Sequence, residues 1–379
     1  MQEALAFFIG SESLLVGTII PFLFVLTVVV FVHEMGHYLV GRWCGIGASA
    51  FSVGFGPELI GFTDKHGTRW KLSAIPLGGY VKFLGDESAT SSPVGVDNSS
   101  LSAEEQSRAF HTQPVWKRAA TVFAGPAFNI ILTVVIFSVF FALYGRQIAD
   151  PLVAGVQPGS PAAEAGFEPG DRFVSVEGEK ITTFSDVQRI VSGRSGDVLD
   201  FTVERNGKMV DLKATPALVE RTDPLGNKVK MGAIGVETTQ AVGNFRRIEY
   251  GPLESVGQAI VETGHIISRT GEFFQRFAVG REDKCQLGGP VKIANMAGKA
   301  ASQGFDWLIQ LTAMLSIGIG LLNLFPLPPL DGGHLVFYAV EAIKGSPVSV
   351  WAQEIFYRVG FLVVMGFMGF VLFNDLFAC

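Results

Sequence analysis

Apolar positions along this chain fall into two regimes, long unbroken runs and short alternating stretches. Four runs approach the roughly 20 residues a helix needs to cross a bilayer. They are Leu14 to Val40, Ala119 to Tyr144, Trp307 to Leu330 and the shorter Val359 to Phe373. No charged residue interrupts Leu14 to Val32, and Lys117-Arg118 and Arg146 bracket the second run. Between the first two runs the period changes to two. Phe51, Val53 and Phe55, then Leu59-Ile60 and Phe62, alternate as a strand does, and Asp64-Lys65-His66-Gly67 marks a turn. Trp70, Leu72 and Ile75 then lead into Pro76-Leu77-Gly78-Gly79-Tyr80-Val81-Lys82-Phe83. The pattern predicts a hairpin or small sheet near the first span, dipping into the bilayer interface or packed on the spans. It serves either as a packing element or as an exposed edge that pairs with an extended peptide.

Residues 86–108 turn polar and read as a mobile loop. Phe123-Ala124-Gly125-Pro126-Ala127-Phe128-Asn129 opens the second span. Its small residues permit close helix packing, Pro126 disturbs the backbone ladder, and Asn129 is expected to satisfy the freed backbone groups. Residues 151–215 are less apolar and form a compact domain. Strand-like Leu152 to Val156 precedes Pro158-Gly159-Ser160-Pro161-Ala162-Ala163-Glu164-Ala165-Gly166-Phe167, then Pro169-Gly170-Asp171 and a strand from Arg172 to Val176. Pro252 to Phe277 carries apolar Val256, Ile260, Ile267 and Phe274 among charges, predicting an amphipathic helix at the outer surface. Leu287-Gly288-Gly289-Pro290-Val291 breaks it from another helical run.

Composition sharpens this picture. At 379 residues, 48% hydrophobic and 17% charged, with mean hydropathy +0.37, the chain is too apolar for an ordinary soluble protein. Its net charge of -6 includes no basic tract, which excludes a nucleic-acid partner. Residues 1–32 hold no Lys or Arg, whereas Arg42 to Arg118 holds eight. Positive charge therefore places that loop in the cytoplasm, and residues 145–306 with both termini outside. The N-terminal segment lacks a basic region ahead of its apolar run and is expected to stay attached. Cys44, Cys285 and Cys379 match no zinc spacing. Cys44 and Cys285 face opposite compartments, so no disulfide framework is expected.

The candidate chemistry sits inside the first run, at His33-Glu34-Met35-Gly36-His37. Residues four apart share a helix face, so both imidazoles reach one metal ion, with Glu34 placed to activate a water beside it. Such a motif arises by chance on solvent-facing helices. In an uncharged span chance is a poor explanation, because a central charge costs roughly 2.5–3.5 kcal/mol on insertion scales. These residues point to a zinc peptidase with its active site in the membrane. Catalytic zinc takes three protein ligands and leaves a position open. Asn323-Leu324-Phe325-Pro326-Leu327-Pro328-Pro329-Leu330-Asp331-Gly332-Gly333-His334 cannot continue a regular helix. Such backbone is tolerated at membrane depth where it lines a cavity. Asp331 is the best third ligand, though it fits equally as a cap of the next helix at the cytoplasmic surface. His334 is a rival ligand. The Asn323 amide can hydrogen-bond a substrate backbone or an oxyanion.

The domain at 151–215 resembles the bacterial PDZ domain in its turn, short helix and Gly-Asp turn. PDZ domains bind extended peptide ends by strand addition; one serving only as a steric gate is the alternative. Taken together, the His33 motif, Gly78 to Lys82, Ala124 to Asn129, the PDZ and the Asn323 to His334 segment occur in family order. The chain resembles the bacterial site-2 intramembrane zinc metalloproteases, in the branch that regulates sigma-E.

The resemblance implies a polytopic α-helical membrane protein of about four transmembrane helices. A membrane-associated β-hairpin or sheet and one inserted α+β PDZ domain complete it. Its parts are the first span with the zinc motif (1–42), the sheet (43–85), a cytoplasmic loop (86–116), the second span (117–145) and a periplasmic PDZ domain (146–220). A periplasmic hairpin and amphipathic region (221–304), the third span with its Asp331 motif (305–345) and the fourth (346–379) follow. The resemblance selects Asp331 over His334 and implies zinc (Zn2+) as cofactor, with Glu34 as base. It also implies substrate contacts at Asn323, Gly78, Gly79 and Tyr80. The expected partners are the lipid bilayer, a membrane-protein substrate with an extended transmembrane segment, and a peptide C-terminus at the PDZ. The expected role is regulated intramembrane proteolysis in a stress response, in the bacterial inner membrane, with an anti-sigma factor or remnant signal peptides cut. One departure is the single PDZ, where the best-known members carry two in tandem. The rivals are a membrane-anchored metallopeptidase cutting outside the bilayer and a non-catalytic PDZ adaptor.

Overall fold

A helix satisfies its own backbone hydrogen bonds, so apolar runs destined for lipid become helices. Among the described residues, four are long and apolar enough to span a bilayer: Val16–Trp43, Val115–Tyr144, Phe305–Asn323 and Val350–Phe377. The computed structural model describes residues 15–85, 102–222, 228–238, 246–280 and 287–378. One unit combines the chain up to Phe137 with the chain from Gly288; the other is Ser138–Leu287.

In the first unit, α1 (Ile20–Trp43) leads into β1 (Ala48–Thr63), which pairs antiparallel with β2 (Arg69–Phe83). Asp64 builds the connecting turn. Its carboxylate accepts from the backbone N–H of His66 (2.8 Å) and Thr68 (3.0 Å), from the Trp70 indole (3.0 Å) and from the Tyr38 hydroxyl (2.9 Å). Burial alone would raise this carboxyl, but the four donors outweigh it and hold it well below the usual carboxylate range. Near α1 the hairpin buries Phe51 against Trp70, with ring centroids 4.4 Å apart, in a cluster with Tyr38, Phe83, Phe110, Val122 and Tyr338. Farther out, Phe55, Leu59, Ile60, Phe62, Leu72, Ile75 and Leu77 are exposed. The polar stretch at 86–101 lies outside the described residues, and α2 (Val115–Tyr144) follows. It starts ahead of the apolar run because Pro114 and the first polar turn belong to the same helix end.

The second unit holds the inserted domain: β3 (Val153–Val156), α3 (Pro161–Ala165), β4 (Arg172–Val176), β5 (Glu179–Lys180), α4 (Phe184–Ser192), β6 (Leu199–Arg205) and β7 (Lys208–Ala214). The sheet is antiparallel in the order β5-β4-β6-β7. Phe167, Phe173, Phe184 and Phe201 fill its core. Fully buried Asp171 takes Arg205 Nε and Nη2, each at 2.7 Å. Burial raises the Asp171 carboxyl, but Arg205 and the Glu168 amide reverse the effect and leave it lowered. The domain also draws in chain beyond residue 220. After the hairpin of β8 (Ala217–Thr222) and β9 (Lys228–Ala233), β10 (Val236–Thr238) pairs with β3, and Ile234 joins the core. Helix α5 (Pro252–Ala278) is amphipathic, as its spacing predicts, and Arg276 binds Asp197 at 2.5 Å.

Back in the first unit come α6 (Pro290–Gln303), α7 (Phe305–Asn323), α8 (Asp331–Lys344) and α9 (Val350–Phe373). The third apolar run divides. Helix α7 stops at Asn323, and the proline-rich segment folds back so tightly that a Cβ on Gly333 would lie 2.5 Å from Pro328 N. Cys44 is buried and free, while Cys285 and Cys379 lie outside the described residues.

Candidate active site

Helix α1 carries the first three candidate residues. His33 and His37, one turn apart, are both buried, and their Nε2 atoms lie 3.2 Å from each other. Asp331 is the first residue of α8, preceded by Leu330, which makes no capping bond through its side chain. The start of a helix favours a carboxylate through its dipole, and here the carboxylate turns toward the histidines rather than serving as a cap. Its Oδ2 is 3.1 Å from His33 Nε2 and 3.6 Å from His37 Nε2. Among the described residues, these three make up the metal-ligand cluster.

The triangle tests itself against zinc. Bonds of about 2.0–2.2 Å in a tetrahedron put ligand atoms roughly 3.3–3.6 Å apart, close to the observed 3.1, 3.2 and 3.6 Å. Asp331 Oδ2 is buried yet has no hydrogen-bond partner despite its nearness to His33. His37 Nδ1 donates to the Thr121 carbonyl at 2.9 Å, which leaves the Nε2 lone pair facing the cluster. The His37 Nε2 lone pair and the Asp331 carboxylate converge as acceptors and repel one another unless a cation lies between them, so the donor set fits zinc.

Helix α2 backs this cluster. A Cβ on Gly125 would overlap the His37 ring and sit 2.9 Å from His33 Cε1, so only glycine leaves room for both imidazoles. A Cβ on Gly36 would sit 2.8 Å from the Ala124 carbonyl carbon, so α1 and α2 meet backbone against backbone. Strand β2 lies on the other side of Glu34. A Cβ on Gly79 would be 3.2 Å from Val30 Cγ1 and 3.4 Å from Glu34 Cγ, and the Val81 amide hydrogen-bonds the Glu34 carboxylate. Gly78, at φ +109°, and Tyr80 flank that approach.

His334, the rival ligand, faces α9 instead, with its Nε2 2.8 Å from the Tyr357 hydroxyl. Asn323 is half-buried at the end of α7. Asn129 departs from the role expected for it. Its side chain approaches His33, Nδ2 to Nδ1 at 3.3 Å, instead of mending the backbone around Pro126. Sequence reasoning missed Thr121 and the space-making role of Gly125. It also missed the buried pair between Arg118 and Glu341, 2.6 Å apart, which ties α2 to α8. A glycine-proline step and a lone amide inside an apolar run are the signals that could have found the α2 residues.

Comparison with known proteins decides the family: the profile of peptidase family M50 matches residues 21–367. The chain belongs to peptidase family M50. M50 is the site-2 protease family, and its members use zinc. A Brucella suis protein named as a zinc metalloprotease is 89% identical over the full length of both chains. One of that name from Mesorhizobium japonicum is 66% identical over 96% of this chain and 99% of its own. The Metalloprotease MmpA of Caulobacter vibrioides is 39% identical over 94% and 95%. The PDZ domain of an SdrC-like protein from Listeria monocytogenes covers 24% of this chain and 88% of its own at 16% identity. Its TM-score is 0.20, a likeness that carries no weight. As a zinc metalloprotease of M50, the chain is an enzyme, and the four long apolar helices among its described residues suit a multi-pass membrane protein. Membership in a zinc metalloprotease family weighs against the non-catalytic adaptor reading.

Proposed function

We propose that the protein is an intramembrane endopeptidase that cleaves transmembrane segments of single-span membrane proteins. The observation that carries the reading is the placement of His33, Glu34 and His37 on a helix long and apolar enough to span a bilayer. His33, His37 and Asp331 hold the metal. Zinc would supply there a polarised scissile carbonyl and a water made acidic near neutral pH. Glu34 takes the water's proton on its carboxylate and hands it to the leaving amide nitrogen. Strand β2 at Gly78 to Tyr80, beside Glu34, holds the substrate extended by adding it as a strand, since a helical substrate hides its peptide bonds. The Asn323 amide hydrogen-bonds the substrate backbone.

The inserted domain works as a PDZ that restricts access or holds a peptide C-terminus. A cavity of about 710 Å³ between α4, α5 and the β9–β10 segment, with Arg221 and Arg269 beside Asp186, Glu237 and Glu262 on its wall, has room for an extended chain. The substrates are single-span proteins already shortened outside the membrane, such as a pre-cleaved anti-sigma factor, or remnant signal peptides. This fits a role in regulated intramembrane proteolysis from the bacterial inner membrane, with the PDZ and both termini periplasmic.

The test uses a tagged single-span substrate lacking its outer domain, incubated in detergent with wild-type and Glu34→Gln protein. Products are mapped by mass spectrometry. A cut inside the apolar span, lost in Glu34→Gln while zinc stays bound, is the expected result. A cut mapped outside the span would move the enzyme to the membrane-anchored class, and an active Glu34→Gln would refute the base assignment.

A further inference from the structure

We propose that Asn129 is a positioning residue for the metal centre. Its side-chain oxygen accepts the Nδ1 proton of His33, so the Nε2 lone pair stays fixed on the zinc. The inference rests on His33 being a ligand and extends that reading to a residue on another helix.

The two imidazoles need the same thing. A histidine that binds through Nε2 carries its proton on Nδ1, and that proton seeks an acceptor which sets both the tautomer and the ring plane. For His37 the acceptor is the Thr121 carbonyl, 2.9 Å from Nδ1. His33 meets the Asn129 amide at the corresponding place, with Nδ2 3.3 Å from Nδ1 and Oδ1 buried without a partner. An amide that donates to Nδ1 would force the His33 proton onto Nε2, where it would point into the cluster and block the metal. Turning the amide by half a turn about its last bond exchanges the two atoms, gives Nδ1–H its acceptor and places Nδ2 where Oδ1 now meets no donor. Helix α2 thus serves both rings from one side: Thr121 and Asn129 lie eight positions apart, with Gly125 between them clearing the space.

The rest of the surroundings hold Asn129 still. It is fully buried. Its backbone carbonyl accepts from the Thr133 hydroxyl at 3.1 Å and from the Ser316 hydroxyl on α7 at 2.9 Å, and Thr133 also reaches the Ala313 carbonyl at 2.9 Å. A Cβ on Gly320 would be 3.1 Å from Asn129 Cβ, so α7 lies directly against this residue. The residue therefore cannot move away from the ring without moving a helix.

Two near-isosteric substitutions separate positioning from packing. Asn129→Asp keeps an acceptor, and Asn129→Leu keeps the volume but offers none. Purified full-length variants are compared in detergent by competition against a zinc chelator, and by the visible absorption of the cobalt(II)-substituted protein, which reads ligand geometry. Asn129→Leu is expected to weaken zinc binding about 10–100-fold and to alter the cobalt spectrum. Asn129→Asp is expected to bind as tightly as wild type or more tightly. Equal zinc affinity in Asn129→Leu and wild type overturns the proposal, as does equal weakening in both variants. His33→Ala is the control. If it keeps wild-type zinc affinity, the ligand assignment itself fails. If it loses zinc while Asn129→Leu does not, only the role of Asn129 fails. Melting of the metal-free proteins shows that each variant is folded, and a Leu variant that does not fold leaves the decision to Asn129→Asp, where a weakened site refutes the acceptor role.

Discussion

Gly125→Ala probes the tightest point of the site. A methyl there would overlap Nε2 and Cε1 of His37 and stand 2.9 Å from His33 Cε1. Relief requires the imidazoles to turn or α2 to withdraw from α1, and withdrawal would open the packing of Ala124 on Gly36. Overpacking of this kind costs about 1–3 kcal/mol. Helix propensity pulls the other way, since alanine is favoured over glycine in a helix interior by up to about 1 kcal/mol. That gain is present with and without metal and cancels from the zinc affinity. The strain does not cancel, because metal binding fixes both rings where the methyl would be. At about 1.4 kcal/mol per tenfold, zinc affinity should fall roughly 5- to 150-fold. The assay is chelator competition on purified protein, together with cleavage at saturating zinc. Gly318→Ala on α7 is the control, because a Cβ there meets nothing within 4 Å; it should leave affinity unchanged. Wild-type zinc affinity in Gly125→Ala would show that the rings have room to spare and that the close contact of α2 with the cluster is wrong.

Two further outcomes are expected. Arg118 and Glu341 pair at 2.6 Å with side chains only 11% and 13% exposed, and the Arg118 guanidinium lies 5.1 Å above the Tyr338 ring. Removing one charge, as in Glu341→Gln, should destabilise the folded protein by about 3–5 kcal/mol, and Arg118→Met with Glu341→Leu should recover much of it; melting in detergent decides, and equal single and double losses would deny the coupling. In the inserted domain, Asp171→Asn should cost about 1.5–3 kcal/mol at neutral pH through the lost Arg205 bonds. Because the folded Asp171 carboxyl is lowered, that contribution is full above the unfolded value near 3.9 and fades as pH falls through the lower folded value. Hydrogen exchange of β4 and β6 in the full-length protein should therefore show the wild-type advantage at pH 7 shrinking below pH 4, and a constant gap would count against the ion pair.

How far the sequence was legible follows from the distance over which each signal acts. His33, Glu34 and His37 are readable because a four-residue step on a helix sets their geometry covalently. Alternation over Phe51 to Phe62 and Trp70 to Phe83 likewise announced β1 and β2. Asp331 lies almost the whole chain away, and its own surroundings allowed a cap as easily as a ligand; family order, not local pattern, favoured it. Strand β10 is three residues long, too short for any period, so the reach of the inserted domain past residue 220 was invisible.

The environment also matters. The outer half of the β1–β2 hairpin exposes Leu59, Ile60 and Phe62, a surface that would be a liability in water and is unremarkable against lipid, and a sequence pattern alone does not say which solvent the strand meets. Asn129 shows the same limit in a sharper form. An amide inside an apolar run announces that it must have a partner, but adjacency to Pro126 suggested the backbone, because adjacency is all that one dimension supplies. The partner is instead set by how α2 crosses α1. That crossing is allowed by Gly36 and Gly125, residues whose contribution is the absence of a side chain. A metal centre built between helices thus depends as much on what the sequence leaves out, at two glycines, as on the charged motif that makes it conspicuous.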